Sequence, residues 1–346
     1  MLDPAFQTLL PPLQDVVGQT LWVADENALE AVVAIPPRTG LQLLTNRCDV
    51  ADAAHVRGHD VAFSDFDFSR FPAGAFNRLV FRISKEKPVV HHVLNHAPGL
   101  LAGEGELYLT GLKDEGARTF IDKCRQHFGN GVAEKHGVAY RGVFVRHAGS
   151  AAMPWLDDKE YAQLRLVHTA ELDFYSKPGV YGWDRVDRGS AFLRQQLPAC
   201  LAQMPAAPQS MLDLGCGYGY LTLMTRDLPC DRRVATDNNA AALLAMAQNA
   251  VHYGLAVEVI ASDAGSSLAG QFDLVLCNPP FHQGFAVDGS LTDKFLAQAH
   301  RLLAPRGAAL FVVNAFLSLE QKARALFSRI DLLANDRAFK VIMLRH

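Results

Sequence analysis

The chain has 346 residues, 49% hydrophobic and 20% charged, with 33 lysines and arginines against 36 aspartates and glutamates, a net charge of −3. This composition excludes a disordered or low-complexity polymer, and the length is about twice that of a typical single domain, so two domains are expected. Residues 1–150 hold 15 basic and 17 acidic groups and the remainder 18 and 19, so neither half is a basic arm and any nucleic-acid contact needs a local patch.

The first basic residue is Arg38 and no run of 18 apolar residues occurs, so neither a secretory signal nor a membrane span is expected. Cys48, Cys124, Cys200, Cys216, Cys230 and Cys277 form no C-x-x-C pair and no zinc-spaced cluster with histidine. That pattern fits a reduced, cytoplasmic protein without a metal.

In chain order, the first domain (1–150) offers Leu43-Leu44-Thr45-Asn46-Arg47, then a strand at Phe76-Asn77-Arg78-Leu79-Val80. Leu100-Leu101-Ala102 with Gly105 follows, leading into another apolar strand. Ala148–Trp155 is small and polar enough to be a linker, which puts the boundary between 150 and 165. The second domain (165–346) reads clearly as alternating strands and helices. Ser210–Leu214 is a strand closed by glycines 215, 217 and 219, with a helix from Tyr220 to about Asp227. Arg233–Thr236 is a strand, and Asn239–Tyr253 a helix stopped by Gly254. Strands at Val257–Ala261 and Phe272–Cys277, a helix over 291–303 and a strand at Ala308–Val313 come next. A helix over 319–328 and a closing hairpin of Ile330–Leu333 with Phe339–Leu344 finish the chain. The near-continuous apolar strands imply an α/β fold, a parallel sheet covered on both faces, with ligands bound at the strands' C-terminal edge.

The first half reads as a worn copy of the second. Phe76–Val80 parallels Phe272-Asp273-Leu274-Val275, and Leu100-Leu101-Ala102 with Gly105 parallels Leu302-Leu303-Ala304 with Gly307, at offsets of 196 and 202. The alternative is that any two α/β domains share such patterns. Where Asp213-Leu214-Gly215-Cys216-Gly217 stands in the second copy, the first is read as Leu43–Arg47. Side chains there would block a ligand, so no cofactor pocket is expected in the first domain.

Three signals carry chemistry. Asp213-Leu214-Gly215-Cys216-Gly217-Tyr218-Gly219 follows a strand and precedes a helix. Its G-x-G-x-G spacing lets the backbone approach a ligand, yet differs from the dinucleotide fingerprint that seats a pyrophosphate. S-adenosylmethionine has no phosphate and carries cationic groups, which Asp213 would suit. Asp237, ending the second strand of that domain, can accept both hydrogen bonds of a ribose diol; its alternative is a helix cap, a task open to Asn238 or Asn239. Asp263 is placed to accept from an adenine amine or to be an ordinary turn residue.

The third signal is Asn278-Pro279-Pro280-Phe281 after the Phe272–Cys277 strand. Two prolines cannot extend a ladder, so Asn278 and the Pro279 carbonyl are left at the sheet edge. Two acceptors there can hold the hydrogens of an exocyclic amine while Phe281 stacks on its ring.

Glycine loop, ribose acid and N-P-P-F in this order resemble class I S-adenosylmethionine-dependent methyltransferases acting on planar amines. More narrowly, the chain resembles the bacterial ribosomal RNA guanine-N2 methyltransferases of the RsmC type. Lys177-Pro178-Gly179-Val180-Tyr181, His282, Asn314-Ala315-Phe316 and Arg337-Ala338-Phe339-Lys340-Val341 extend that resemblance. It departs at Trp183-Asp184-Arg185-Val186-Asp187, where the family runs through an Arg-Asp pair. The resemblance implies two tandem Rossmann-like methyltransferase domains, each a mostly parallel sheet with helices on both faces, the C-terminal one closed by an antiparallel hairpin. It also implies cofactor contacts from Asp213, Gly215, Gly217, Gly219, Asp237, Asn238, Asp263 and Asn278, and catalysis by Asn278, Pro279, Pro280 and Phe281. The expected substrate is a guanine of 16S ribosomal RNA, free or in the ribosomal subunit, with no obligate protein partner. The first domain would bind RNA or stabilise the second.

A 23S enzyme, a protein-glutamine methyltransferase and a DNA-adenine methyltransferase are the alternatives. Weaker features are His55, His59, His91 and His92, read as surface or loop residues rather than metal ligands, and Cys277, read as a buried strand residue. Lys340 is read as a phosphate contact or a hairpin residue. The cluster Arg78, Arg82, Lys85 and Lys87 is read as a phosphate-binding face or a solvated charge run.

Overall fold

The structure, a computed structural model, describes residues 2–147, 154–280, 282–283, 286–287 and 289–346. Phe281 and residues 148–153 of the expected linker lie outside the described residues; Trp155 lies inside, its backbone N–H donating to Asn95 Oδ1 at 3.0 Å. The chain forms two compact units, Met1–Gln163 and Leu164–His346.

The first unit holds β1 (Thr20–Ala24), β2 (Leu41–Thr45), β3 (Asp60–Phe63), β4 (Phe76–Arg82), β5 (Leu101–Leu112), β6 (Val132–His136) and β7 (Ala139–Val145). Their order is β3-β2-β1-β4-β5-β7-β6, parallel through β5 and antiparallel at β7 and β6. The second unit opens with a ribbon of β8 (Arg165–Val167) and β9 (Phe174–Ser176). It continues through β10 (Ser210–Leu214), β11 (Arg232–Asp237), β12 (Glu258–Ala261), β13 (Phe272–Cys277), a short ribbon β14 (His282–Gln283) and β15 (Ala286–Val287), then β16 (Leu303–Asn314), β17 (Arg329–Asn335) and β18 (Phe339–Arg345). Its sheet order, β12-β11-β10-β13-β16-β18-β17, repeats the first, closing antiparallel hairpin included.

Alternate residues of each strand point to opposite faces. Met211, Leu274, Leu310 and Met343 accordingly enter one core, and Leu212, Val275, Phe311 and Ile342 the other. Burial on both sides is why these strands read as unbroken apolar runs. The helix after the glycine loop covers only Tyr220–Met224, shorter than expected, because the Thr225 hydroxyl turns back onto the Leu221 and Thr222 carbonyls.

A shared irregularity ties the two sheets together more firmly than shared strands do. Phe272 pairs with Leu303 but Leu274 with Ala308, so residues 304–307 bulge; Phe76 pairs with Leu101 but Arg78 with Glu106, the same bulge. In the second unit only glycine fits the bulge, since a Cβ at Gly307 would lie 2.8 Å from the Asp273 carbonyl oxygen. This bulge also starts β16 at Leu303 rather than Ala308.

The register corrects one expectation. Thr20 pairs with Leu41 as Met211 pairs with Arg233, so β1 is the counterpart of β10 and β2 of β11. Arg78 pairs with Thr20 as Leu274 pairs with Met211, so Ala24-Asp25-Glu26 stand in place of Gly215-Cys216-Gly217. Thr45, whose carbonyl accepts from the Ser64 N–H as that of Asp237 does from the Ser262 N–H, stands where the second unit has Asp237. The match of Leu43–Arg47 to the glycine loop was therefore one strand out. Two neighbouring apolar runs do not reveal their order until their hydrogen bonds do.

The basic cluster is also corrected. Arg78 and Arg82 are buried, at 7% and 3% exposure, and form neither a phosphate-binding face nor a solvated run. Arg78 donates to Glu106 and to the Pro12 and Asp15 carbonyls, while Arg82 pairs with Asp3 and Glu115. Buried guanidinium groups need such partners, and the N-terminal segment and β5 supply them. Lys85 and Lys87 are exposed.

Candidate active site

The glycine loop takes backbone shapes that side chains resist. Gly215, Gly217 and Gly219 have φ of 81°, 56° and 93°. A Cβ on Gly219 would fall 2.0 Å from Met246 Sδ, whereas one on Gly217 would meet nothing within 4 Å. The loop is thus pressed against the helix Ala240–His252 at one end and open at Gly217. The Gly215 and Cys216 N–H groups both donate to the Thr236 carbonyl at 2.9 Å, fastening the loop to β11.

Asp237 completes that fastening. Its Oδ2 accepts from the Gly217 N–H and its Oδ1 from the Asn239 N–H, each at 2.9 Å. The helix cap is Asn239, whose Oδ1 accepts from the Ala241 N–H. Asp237 is therefore released from capping and half-buried at the edge, with lone pairs remaining on both oxygens. Asn238 is also half-buried beside it. Asp263 sits past β12 and pairs with Lys294, so one of its oxygens already serves a cation.

Asp213 departs from its expected place. It is 1% exposed, and its Oδ2 accepts from the Thr222 N–H at 3.0 Å and the Thr222 hydroxyl at 2.7 Å. Burial, partly offset by those bonds, pushes its pKa up to about 6. Here Asp213 anchors the helix Tyr220–Met224 under the loop rather than facing the edge. Cys277 is buried in β13, with its thiol pushed well up by burial.

At the end of β13, Asn278 is half-buried, Pro279 buried and Pro280 exposed. Asn278 Nδ2 donates to Asp187 Oδ2 and to Ser190 Oγ, both at 2.8 Å. Among the described residues, both of its side-chain hydrogen bonds are made by this nitrogen. The amide oxygen is thus kept as an acceptor. Asp187 is the N-cap of the helix Arg188–Leu201, accepting from the Ser190 N–H at 2.8 Å.

Sequence reasoning missed these partners of Asn278. An aspartate three residues before a serine at a helix start was the available signal, but its target lies 91 residues away. It also missed Asn249, fully buried, which accepts from the Tyr175 N–H and donates to the Tyr175 and Tyr218 carbonyls, tying β9 and the loop to one helix. Asn239 likewise donates to the Gly179 carbonyl, bringing Lys177–Tyr181 to the site.

Other candidates take structural places. Lys340 is buried and pairs with Glu320, so it is no phosphate contact. His91 and His92 are buried rather than on the surface, bonded to Asp157 O and Phe66 O respectively, and His59 is buried against Ile35 O. Among the described residues no cluster of three metal-ligating side chains occurs and all six cysteines are buried and free.

Comparison with known proteins agrees with this geometry. The model of the methyltransferase small domain matches residues 171–343. Ribosomal RNA small subunit methyltransferase C of Pseudomonas aeruginosa (strain UCBPP-PA14) is 32% identical over 75% of this chain and 76% of its own length. The protein of the same name from Aeromonas hydrophila is 28% identical over 84% of each. In fold, the chain is similar to the T. thermophilus 16S rRNA N2 G1207 methyltransferase (RsmC), solved with AdoMet and guanosine, at a TM-score of 0.81, 23% identity and coverage of 99% and 92%. At the identity and coverage shared with the Pseudomonas aeruginosa protein, the chain belongs to the ribosomal RNA small subunit methyltransferase C family.

Proposed function

We propose that this chain methylates the exocyclic N2 amine of a guanine in 16S ribosomal RNA, using S-adenosylmethionine, with Asn278 and the Pro279 carbonyl as the groups that hold the amine. The observation that carries the residue roles is the commitment of Asn278 Nδ2 to Asp187 and Ser190. An amine with two N–H donors needs acceptors, and this arrangement keeps an oxygen for it. The relatives' names, all of small-subunit enzymes, favour 16S over 23S RNA.

The loop fits the cofactor: it is open at Gly217, and Asp237 retains acceptor capacity beside it. Gly215, Gly217, Gly219, Asp237 and Asn238 would hold it, with Asp263 near the adenine and Asp213 acting from beneath through Thr222. When bound, S-adenosylmethionine supplies a methyl group on a positively charged sulfur. The protein's share is positioning: Asn278 and Pro279 fix the amine's hydrogens, Phe281 stacks on the ring, and the buried Pro279 keeps the backbone rigid. The guanine must leave its stack to reach this edge. Among the described residues, Asp187 is the only carboxylate or histidine hydrogen-bonded to Asn278, and it is already occupied, so the proton is assigned to water.

We assign the first unit a supporting role in RNA binding or stability, since Ala24, Thr45 and Arg82 stand where the second unit has Gly215, Asp237 and Asn278. Free RNA or the subunit as substrate, no obligate protein partner and a cytoplasmic location complete the reading. No helix of the described residues is long and apolar enough to cross a membrane.

The test is mass-spectrometric mapping after incubating the purified protein and S-adenosylmethionine with unmodified small subunits, free 16S RNA and 23S RNA. N2-methylguanosine in 16S RNA is the expected product. Methylation confined to 23S RNA, or none, overturns the assignment.

A further inference from the structure

Asn278 is gripped by the head of the helix Arg188–Leu201. Asp187 Oδ2 and Ser190 Oγ each accept from Asn278 Nδ2 at 2.8 Å. A carboxylate oxygen can only accept, so the amide atom facing Asp187 must be the nitrogen. Gly189 leaves room for this contact, because a Cβ there would sit 3.1 Å from Asp187 Oδ2 and 3.3 Å from the Phe339 ring.

The first unit carries the same grip on a different residue. Asp3 caps the helix Pro4–Gln7 by accepting from the Ala5 N–H. Its other oxygen, Oδ2, accepts from Arg82 Nε at 2.8 Å. By strand register Arg82 occupies the place of Asn278, since Phe76 and Phe272 hold equivalent positions ahead of the bulge. An aspartate at the head of the flanking helix therefore holds whatever residue ends the central strand.

We propose that Asp187, together with Ser190, is a positioning residue that sets the Asn278 amide so that its oxygen, not its nitrogen, meets the guanine N2 hydrogens. This rests on the role of Asn278 proposed above. Asp187 touches no substrate. A flipped amide would present two donors to a donor amine and push the base away.

The experiment is steady-state kinetics of the full chain on unmodified small subunits. The variants are Asp187→Ala, Asp187→Asn, Ser190→Ala, Asn278→Ala and the double variant Asp187→Ala/Asn278→Ala, with S-adenosylmethionine affinity measured by calorimetry. Asp187→Ala is expected to lower kcat about 100-fold, the scale of a misplaced reacting group, with cofactor Kd unchanged within about twofold. Asp187→Asn keeps an acceptor oxygen and should recover kcat to within about tenfold of the parent. Ser190→Ala leaves the backbone cap intact and removes one acceptor, so a loss of about three- to tenfold is expected.

Once Asn278 is alanine there is no amide to orient, and Asp187→Ala should cost nothing further. A merely structural Asp187 would lower activity by the same factor in both backgrounds. Equal losses in both backgrounds, or parental kcat in Asp187→Ala or Ser190→Ala, overturn the proposal. Should Asp187→Ala fail to fold, Ser190→Ala decides alone. Parental kcat in Asn278→Ala would instead sink the underlying role of Asn278, a distinguishable result.

Discussion

The two units share a strand order, a bulge after the first residue of the central strand, and a helix-capping aspartate that reaches the end of that strand. They differ in what the C-terminal edge presents. The second unit has Gly215, Asp237 and Asn278; the first has Ala24, Thr45 and Arg82 at the same registers, with Asp25 following Ala24. Asp25 is 1% exposed and bonded to Asn27, and Arg82 is 3% exposed and paired with Asp3 and Glu115, so buried polar side chains with fixed partners stand where the second unit has an open loop and an unbonded amide oxygen. A scaffold of this kind is indifferent to its chemistry. Hydrophobic strands and helix caps build it twice, and the two copies diverge in the side chains set along the edge.

Arg82→Ala is the largest blow to this comparison. It leaves the carboxylates of Asp3 and Glu115 without their cation, and removing one partner of a buried pair costs about 3–5 kcal/mol. Denaturant unfolding should show that loss. A loss under about 1 kcal/mol would mean that the ion pairs are not what holds this edge.

The equivalent change in the second unit, Asn278→Ala, should spare stability and lower kcat about 10²–10³-fold, the scale of losing one preorganised hydrogen-bonding group. Methyl transfer to small subunits together with a melting curve separates the two effects. A variant with both properties impaired would place Asn278 in the scaffold.

Gly219→Ala should come next. The alanine Cβ would collide with Met246 Sδ at a residue whose φ is 93°, so a stability loss of about 1–3 kcal/mol is expected, with weaker S-adenosylmethionine binding by calorimetry. The same substitution at Gly217 has space but still an adverse φ of 56°, and should cost less.

A further effect is one of pH. Burial and the neighbouring Glu26 push the Asp25 carboxyl up to about 8, against 3.8 in an unfolded chain. The native state therefore holds a proton that the unfolded chain releases, and stability falls as pH rises from about 4 to about 8. Asp213, raised to about 6 by burial, acts in the same direction over the lower part of that window. Asp25→Asn should flatten the decline of the unfolding midpoint between about pH 6 and pH 8 and reduce it between about pH 4 and pH 6 to the share of Asp213. An unchanged slope would show that Asp25 is ionised in the native protein.

Much of the second unit was legible because its signals are local. Ser210–Leu214 and Phe272–Cys277 are strands over the residues expected, and the glycine spacing demanded the positive φ values it has. Duplication was legible from Phe76 and Phe272, but the counterpart of the glycine loop was not, since β1 and β2 are both five-residue apolar runs. Arg78 and Arg82 looked like surface charge because composition does not show that an N-terminal segment folds over them.

By itself, then, the sequence determined the strands, the turns that only glycine allows and the chemical identity of the edge residues. These depend on neighbours within a few positions. Tertiary structure decided which acids stay at the edge and which are buried, moving Asp213 beneath the loop and leaving Asp237 half-buried beside it. It also decided that Asp187, 91 residues before Asn278, would orient its amide. Hydrogen-bond partners and burial are set by which surfaces meet on folding, and no local pattern encodes that.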